Sequence, residues 1–298
     1  MKGLKRIYRP LIYFFVLVLK FIVQHLPRPL ALSFGRMSGL VCSVLLKKER
    51  KRAVEHLLFV YQDAEKAQKI AREVFKNLGM NLFEWLQMGR LNQKKIGKIV
   101  KVTGIENINS ALSKGKGVII ITAHLGNWEY LAAYFGLNGY KGAVIARSVY
   151  YQKYNRLLES IRLPVGVETV WREGSAKDIL RVLKRNQLLG ILPDQDTKKV
   201  DGIFVDFFGR PAYTPTGPVT LALATGAVII PSFLIRVRNK FHLHIEKPLN
   251  LTIAGGKEET IKLNTEKWSA VVEKYIKRYP GQWVWMHRRW RTNEKKES

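Results

Sequence analysis

The stretch that decides the fold of this 298-residue chain is Val118-Ile-Ile-Ile-Thr-Ala-His124-Leu-Gly-Asn-Trp-Glu129. The apolar run at its start predicts an interior strand, and Gly126 permits a tight turn into a helix that begins near Trp128. A residue at the carboxyl end of an interior strand lies in the crevice above an open α/β sheet, where such sheets expose reactive groups. The stretch therefore predicts an α/β fold with His124 at its functional edge.

The sequence that follows alternates short apolar runs with helical stretches, a texture typical of a mixed sheet flanked by helices. The predicted strands are Val118–Thr122, Ala143–Ala146, Leu188–Leu192, Val228–Ile235 and Phe241–Ile245. The predicted helices are Trp128–Phe135, Tyr154–Ile161, Ala176–Arg185, Pro218–Ala224 and Glu266–Tyr279. Apolar residues at intervals of three and four between Ala53 and Met88 add amphipathic helices with a break near Asp63. We assign residues 51–298 to this domain.

Residues 1–50 are predicted to be a membrane-associated helical segment. An apolar run, Leu11–Val23, is interrupted only by Lys20, is stopped by Pro27 and Pro29, and follows the basic residues Lys2, Lys5, Arg6 and Arg9. At about 13 to 16 residues it is short for a full span, which takes roughly 20. A basic flank beside an apolar helix suits a helix that lies at an anionic lipid surface. A buried core helix is the alternative.

The charge of the chain demands an anionic partner. The sequence has 51 Lys and Arg against 23 Asp and Glu, a formal net charge of +28, which exceeds what solubility requires. Nucleic acid, an anionic membrane surface and an acidic protein or substrate all qualify. The chain has neither zinc-finger spacing nor an RNA-binding aromatic motif, and an apolar N-terminal run serves a membrane protein better, so nucleic acid is the disfavoured alternative.

The spacing of His124 and Glu129 suggests acid–base chemistry. A carboxylate five residues on, across a turn, can return to one imidazole nitrogen, fix the tautomer and stabilise the imidazolium. Such a pair has no nucleophile of its own, so it suits direct deprotonation of a substrate hydroxyl that attacks an activated acyl group. The alternative is that His124, one of six histidines, only sits satisfied at a strand end.

One motif at His124 and five further segments together resemble a known family. His124-X4-Glu129 resembles the His-X4-Asp/Glu signature of the lysophospholipid (glycerolipid-type) acyltransferases, in the glutamate form of the bacterial lipid A lauroyl and myristoyl transferases, known as late acyltransferases. The other matching segments follow in the family's order: Arg147, with Asn155 and Arg162 after it; Gly190-Ile-Leu-Pro-Asp194-Gln195-Asp196; Val205-Asp-Phe-Phe-Gly209; Gly226-Ala227 with Pro231; and Trp283-Val-Trp-Met-His287-Arg-Arg-Trp290. The resemblance covers nearly the whole chain.

That resemblance implies an O-acyltransferase on the cytoplasmic face of the inner membrane. The implied donor is an acyl carrier protein thioester or acyl-CoA, and the implied acceptor is a lipid A precursor. Where the family reads roughly Asn-Pro after its arginine, this chain has Ser148-Val149-Tyr150, which leaves another glycolipid or a lysophospholipid open as acceptor. We predict no cofactor and no metal, since no further ligands accompany the strand pair His242 and His244.

The roles expected of the site residues complete these predictions. His124 and Glu129 are the expected catalytic pair. The expected oxyanion or acceptor-phosphate contacts are Arg147, Arg162, Gly126 and Asn127. Asp194 is expected to orient an arginine or contact the acceptor, and Gln195 is assigned with it to an acceptor-site or orienting role. The alternatives are a surface arginine for each of the two arginines and a structural ion pair for Asp194.

Overall fold

A computed structural model describes residues 2–197 and 200–293 of the chain, with side chains from Arg9 onward. The side chains of Lys2, Lys5 and Arg6 in the predicted basic flank therefore lie outside the described part.

Four helices precede the sheet: α1 (Lys2–His25), α2 (Arg28–Leu45), α3 (Lys47–Tyr61) and α4 (Ala64–Gln87). Pro27 and Pro29 stand at the break between α1 and α2, where proline is accepted before or in a first helical turn. The predicted break near Asp63 is confirmed, because its carboxylate accepts a hydrogen bond from the backbone N–H of Lys66 at 2.9 Å and caps α4.

Glycines bring α2 and α4 into backbone contact. A Cβ atom added at Gly39 would lie 2.1 Å from the carbonyl oxygen of Phe75, and one added at Gly79 would lie 2.0 Å from that of Gly35. No side chain fits between the helices at these points. The two helices are therefore packed backbone to backbone. This matters because α4 continues to the candidate site.

The sheet has seven strands in the order β1-β9-β8-β2-β5-β3-β4, and β6 and β7 form a separate hairpin. Strands β2, β8, β5, β3 and β4 are parallel, whereas β9 is antiparallel to β8 and carries β1 parallel to itself. The strand bounds are β1 Val100–Thr103, β2 Val118–Ile121, β3 Gly142–Ala146, β4 Glu168–Trp171, β5 Leu188–Ile191, β6 Gly202–Asp206, β7 Pro211–Pro215, β8 Val228–Val237 and β9 Lys240–Ile245. The helices that flank the sheet are α5 Gln93–Ile99, α6 Ile105–Leu112, α7 Trp128–Leu137, α8 Gln152–Arg162, α9 Ala176–Lys184, α10 Gly217–Thr225 and α11 Lys257–Arg278.

The mixed α/β architecture and all five predicted strands are confirmed. The central strand is β2, whose four residues are buried. Ile119 and Ile121 face one apolar core and Val118 and Ile120 face the other, the alternation expected of a strand covered on both sides. Val23 of α1 belongs to the same core as Ile120, so α1 contributes to the apolar core that covers this face of the sheet. The domain boundary at residue 50 stays a prediction.

The first two helices also carry a large exposed apolar surface. The exposed side chains on α1 are Leu11, Ile12, Phe14, Phe15, Leu17, Val18, Leu19, Phe21 and Ile22, and those on α2 are Leu30, Phe34, Met37, Val41, Val44 and Leu45. Across the described ranges no single helix has both the length and the apolar content needed to span a bilayer. Helices α2 and α3 meet both criteria only as a pair, and they are bent by 91°.

Candidate active site

His124 follows β2 at the carboxyl edge of the sheet, and its partner comes from the neighbouring strand β5. Its Nδ1 lies 2.8 Å from Oδ1 of Asp194, and its backbone N–H donates to Oδ2 of the same carboxylate at 2.9 Å. The imidazole is 27% exposed, while the Asp194 side chain is fully buried. Two adjacent parallel strands thus place an accessible imidazole on a buried carboxylate.

Asp194 is held as a carboxylate by three donors. The indole N–H of Trp283 donates to Oδ2 at 2.8 Å, beside the two donors of His124. Burial by itself raises the pKa of Asp194, but the electrostatic attraction of His124 and the three hydrogen bonds outweigh it and hold that pKa at about 2. The carboxyl is therefore ionised at neutral pH.

The prediction that Glu129 binds the imidazole is wrong. Its carboxylate forms a bidentate pair with Arg162, with Nε to Oε2 at 2.9 Å and Nη2 to Oε1 at 2.6 Å. Glu129 is the second residue of α7, and consecutive helical residues point about 100° apart. Trp128 therefore faces His124, with ring centroids 5.2 Å apart, and Glu129 is turned towards α8.

The two arginines lie in different environments. Arg162 is buried, and its remaining terminal nitrogen donates to the hydroxyl of Thr169 at 3.2 Å, so its expected contact with an oxyanion or phosphate is not available in this arrangement. Arg147, just after β3 at the carboxyl edge, is 76% exposed and lies 4.0 Å from Glu173. Of these two arginines, Arg147 is the one that presents its guanidinium to solvent.

The backbone amides expected to serve an oxyanion are already bonded. The N–H of Gly126 donates to the carbonyl of Gln282 at 3.1 Å, and the N–H of Asn127 donates to that of Leu234 at 2.9 Å. A Cβ atom at Gly126 would lie 2.0 Å from the Leu234 oxygen, and its φ of 64° is in the left-handed region, so this turn requires glycine. The prediction of oxyanion donors at Gly126 and Asn127 is therefore wrong for this conformation.

Helix α4 forms hydrogen bonds to the turn at Gly126 and Asn127. Asn81 donates to the carbonyl of Gly126 at 2.6 Å, and Glu84 accepts from the side-chain amide of Asn127 at 2.9 Å. Glu84 is fully buried and pairs with both Arg28 and Arg236, at 2.6 and 2.5 Å. These bonds compensate the buried charge and fix the turn that follows His124.

The arrangement can carry a proton. Within the described residues, Nε2 of His124 makes no hydrogen bond to protein, so it is free to accept a proton from a bound hydroxyl. Asp194 would keep the proton on Nδ1 and stabilise the imidazolium. The described part of the chain contains no group of three or more His, Cys, Asp or Glu residues placed to hold a metal ion.

Comparison with known sequences gives the family. The sequence pattern described as bacterial lipid A biosynthesis acyltransferase matches residues 1–292. The chain belongs to this family. The chain is 25% identical over 283 residues to the lipid A biosynthesis palmitoleoyltransferase of Escherichia coli K12, covering 92% of this chain and 89% of that protein. The lipid A biosynthesis lauroyltransferase of the same strain is 27% identical over 282 residues, covering 91% and 88%.

A relative that is named for a different acceptor also matches the chain. The phosphatidylinositol mannoside acyltransferase of Mycobacterium tuberculosis H37Rv is 27% identical over 158 residues, which cover 50% of this chain and 49% of that protein. The chain is therefore an enzyme that transfers acyl groups, and its relatives act on lipids of more than one kind.

Sequence reasoning missed the partner of the imidazole in this acyltransferase. The sequence predicts that Asp194 orients an arginine or contacts the acceptor, but the pairing of β5 beside β2, which brings it to His124, has no local sequence signal. Gln195 is half-buried, and its carbonyl accepts from the hydroxyl of Thr197 at 3.3 Å, so its acceptor role stays a prediction. Trp283 begins one of the family motifs, but its contact with Asp194 is seen only in the folded structure.

Proposed function

We propose that this acyltransferase moves a fatty acyl chain from the thioester of an acyl carrier protein, or from acyl-CoA, to a hydroxyl of a lipid A precursor. The observation that carries the proposal is the hydrogen bond of 2.8 Å between Asp194 and the part-exposed imidazole of His124, at the carboxyl edge of the sheet. The match of the family pattern to residues 1–292 supports the same reaction class.

In the proposed reaction His124 is the general base. Its Nε2 takes the proton of the acceptor hydroxyl while the oxygen attacks the thioester carbonyl. The tetrahedral intermediate collapses, the C–S bond breaks, and the leaving thiolate receives the proton from the imidazolium. The products are an ester and a free thiol. Asp194 holds Nδ1 and offsets the positive charge that the ring carries between the two proton transfers.

Glu129 has an indirect role in this proposal. Its pair with Arg162 joins the first turn of α7 to the end of α8, and both side chains are more than four-fifths buried. Trp128, which lies against the imidazole, is the residue before it. The pair therefore fixes the wall beside His124, and its loss lowers stability first and activity as a consequence.

Arg147 is our candidate for the phosphate of the acceptor. A guanidinium binds phosphate bidentately, and this one is exposed at the same edge as His124. Asn155 orders the loop that follows it, because its side chain bonds both the N–H and the carbonyl of Val149, at 2.9 and 3.1 Å. Asn155 therefore fixes the backbone beyond the arginine, at the place where the family has a proline.

We place the enzyme on the cytoplasmic face of the inner membrane, with α1 and α2 against the lipid. Their exposed apolar side chains form a surface that water does not favour, and Lys47 and Lys48, both exposed, follow directly at the start of α3. Basic residues beside an apolar helix surface are attracted to anionic lipid. The single cysteine, Cys42, cannot form an intramolecular disulfide, which suits the reducing side of the membrane.

Substitutions on the exposed face test membrane contact without disturbing the core. Phe15 and Phe21 are 67% and 66% exposed, so Phe15→Glu and Phe21→Glu should fold normally and lose co-sedimentation with vesicles that contain anionic lipid. Ile253 is 73% exposed on the loop before α11, and Ile253→Glu is the matched control. Unchanged vesicle binding by both phenylalanine variants would exclude α1 as a lipid contact.

The proposed reaction is tested with purified protein, an acyl carrier protein thioester or acyl-CoA, and two acceptors in parallel, a lipid A precursor and a phosphatidylinositol mannoside. The second acceptor is included because of the relative that matches half of the chain. We expect a mass increase of one acyl group on the lipid A precursor, and at least about a hundredfold loss in His124→Ala, the scale of general-base removal. Transfer to the mannoside alone would replace the acceptor, and transfer to neither would refute the proposal.

A further inference from the structure

The C-terminal segment 282–284 runs beside the loop that carries His124. The N–H of Gly126 donates to the carbonyl of Gln282 at 3.1 Å, and the N–H of Val284 donates to the carbonyl of His124 at 3.2 Å. Leu125 and Trp283 form an antiparallel bridge between them. The end of the chain thus acts as a short additional strand against the catalytic loop, and it brings one indole to the buried carboxylate.

The indole of Trp283 has a fixed position. Its side chain is almost fully buried, and its ring packs edge-on against Trp285 with centroids 4.7 Å apart and lies 5.8 Å from Phe207. Its only polar atom, the Nε1–H, points at Oδ2 of Asp194 at 2.8 Å. A tryptophan needed only for its apolar area would not require that direction.

We propose that Trp283 is a positioning residue, which holds the Asp194 carboxylate in the orientation in which it binds the imidazole of His124. The inference deepens the proposed function and rests on it. Without the indole donor, Oδ2 keeps only the backbone N–H of His124, and the carboxylate can turn about its Cβ–Cγ bond away from Nδ1. A buried oxygen that loses a donor also becomes more basic, because a hydrogen bond to the charged form favours that form.

The charged groups around Asp194 come from three segments. His124 lies on the loop after β2, Asp196 shares the loop of Asp194, and His287, Arg289 and Arg291 belong to the C-terminal segment. Burial lowers the pKa of His287 to about 4 and that of Arg289 to about 10. As the pH falls, Arg289 therefore stays charged and His287 gains its proton before Asp194 does. Variants that differ only at Trp283 or Trp285 share all these groups, so a difference between them reports the indole donor.

The test compares two tryptophans of the same segment. Trp283→Phe removes the donor to Asp194. Trp285→Phe removes an equally buried indole that donates to the carbonyl of Pro280 at 2.8 Å instead. We expect Trp283→Phe to lower kcat about tenfold with little change in KM, and to raise the pKa of the Asp194 carboxyl above about 2, because the charged form loses a donor. Trp285→Phe should leave the pKa of Asp194 in place.

Two further measurements keep the inference falsifiable. If Trp283→Phe does not fold, 3-benzothienylalanine at position 283 replaces the N–H by sulfur at nearly constant ring shape and gives the same expected shift. If the wild-type protein transfers acyl groups to neither acceptor, the proposed function fails, and the inference is judged by a carbon-13 titration of the Asp194 carboxyl, whose pKa should rise from about 2 in the Trp283 variant only. An unchanged kcat together with a carboxyl titration that stays at its wild-type position would overturn the role of Trp283.

Discussion

Replacing Asp194 by asparagine should reverse the tautomer of the His124 imidazole without unfolding the protein. Oδ2 receives two donors and Oδ1 only one, so the asparagine oxygen will take the Oδ2 position and its NH₂ group will face Nδ1 of His124. An NH₂ group can only donate, which forces Nδ1 to accept and leaves the proton on Nε2. The ring can then no longer take a proton from the acceptor hydroxyl.

The expected loss of activity is large and the expected loss of stability is modest. A wrong imidazole tautomer costs about ten-thousandfold in kcat where it has been isolated, in serine proteases. The carboxyl pKa lowered from 3.8 to about 2 contributes about 2 kcal/mol at 1.36 kcal/mol per unit. Because the folded value is the lower one, this contribution is present above pH 3.8 and disappears as the pH falls through about 2.

The assay is steady-state acyl transfer to acceptor dispersed in detergent, with thermal melts at pH 7 and at lower pH. Asp196→Asn is the matched control, because Asp196 lies on the same loop, is equally buried, and bonds Arg291 and Thr292 instead of His124. A D194N enzyme that keeps more than about a tenth of wild-type kcat, or one that loses no more than D196N, would refute the tautomer argument.

Three other perturbations follow from the described contacts. Glu129→Gln leaves the buried Arg162 without a counter-charge and should lower the free energy of unfolding by about 3 kcal/mol in denaturant melts. A loss below about 1 kcal/mol would contradict the proposal that this pair fixes the wall beside His124. Gly39→Ala places a methyl group 2.1 Å from the Phe75 carbonyl oxygen and should lower the free energy of unfolding by about 2 kcal/mol or more. The control Gly97→Ala, with no atom within 4 Å of the new methyl, should be neutral or stabilising. Equal melts of the two variants would show that α2 and α4 can separate freely. Transfer from an acidic carrier protein should weaken between about 50 and 500 mM salt, and a Michaelis constant independent of salt would exclude electrostatic docking.

The parts of the fold that follow from periodicity could be predicted. Strand β2, the helix after it and the break near Asp63 each have a local signal, and each is confirmed. Strands β1 and β4 were missed because they lie at the two edges of the sheet, where partly exposed and polar residues interrupt the apolar run. The hairpin strands β6 and β7 were also missed.

The candidate site shows where a linear motif stops being informative. The spacing of His124 and Glu129 led to a wrong partner for the imidazole, because the rotation of α7 turns Glu129 towards Arg162. The catalytic role of His124 stays a prediction. The true neighbour, Asp194, is 70 residues away in the chain. Its position depends on strand order, which is set by long-range packing and leaves no pattern in either segment alone.

The bridge between Leu125 and Trp283 also fixes the order in which the site is completed during synthesis. A ribosome makes a chain from its N-terminal side, so His124 and Asp194 emerge before the indole that donates to the carboxylate. The dyad therefore lacks this donor until residues 282–284 have been made, and a stop codon between Asp194 and Trp283 yields a polypeptide with an unfinished dyad.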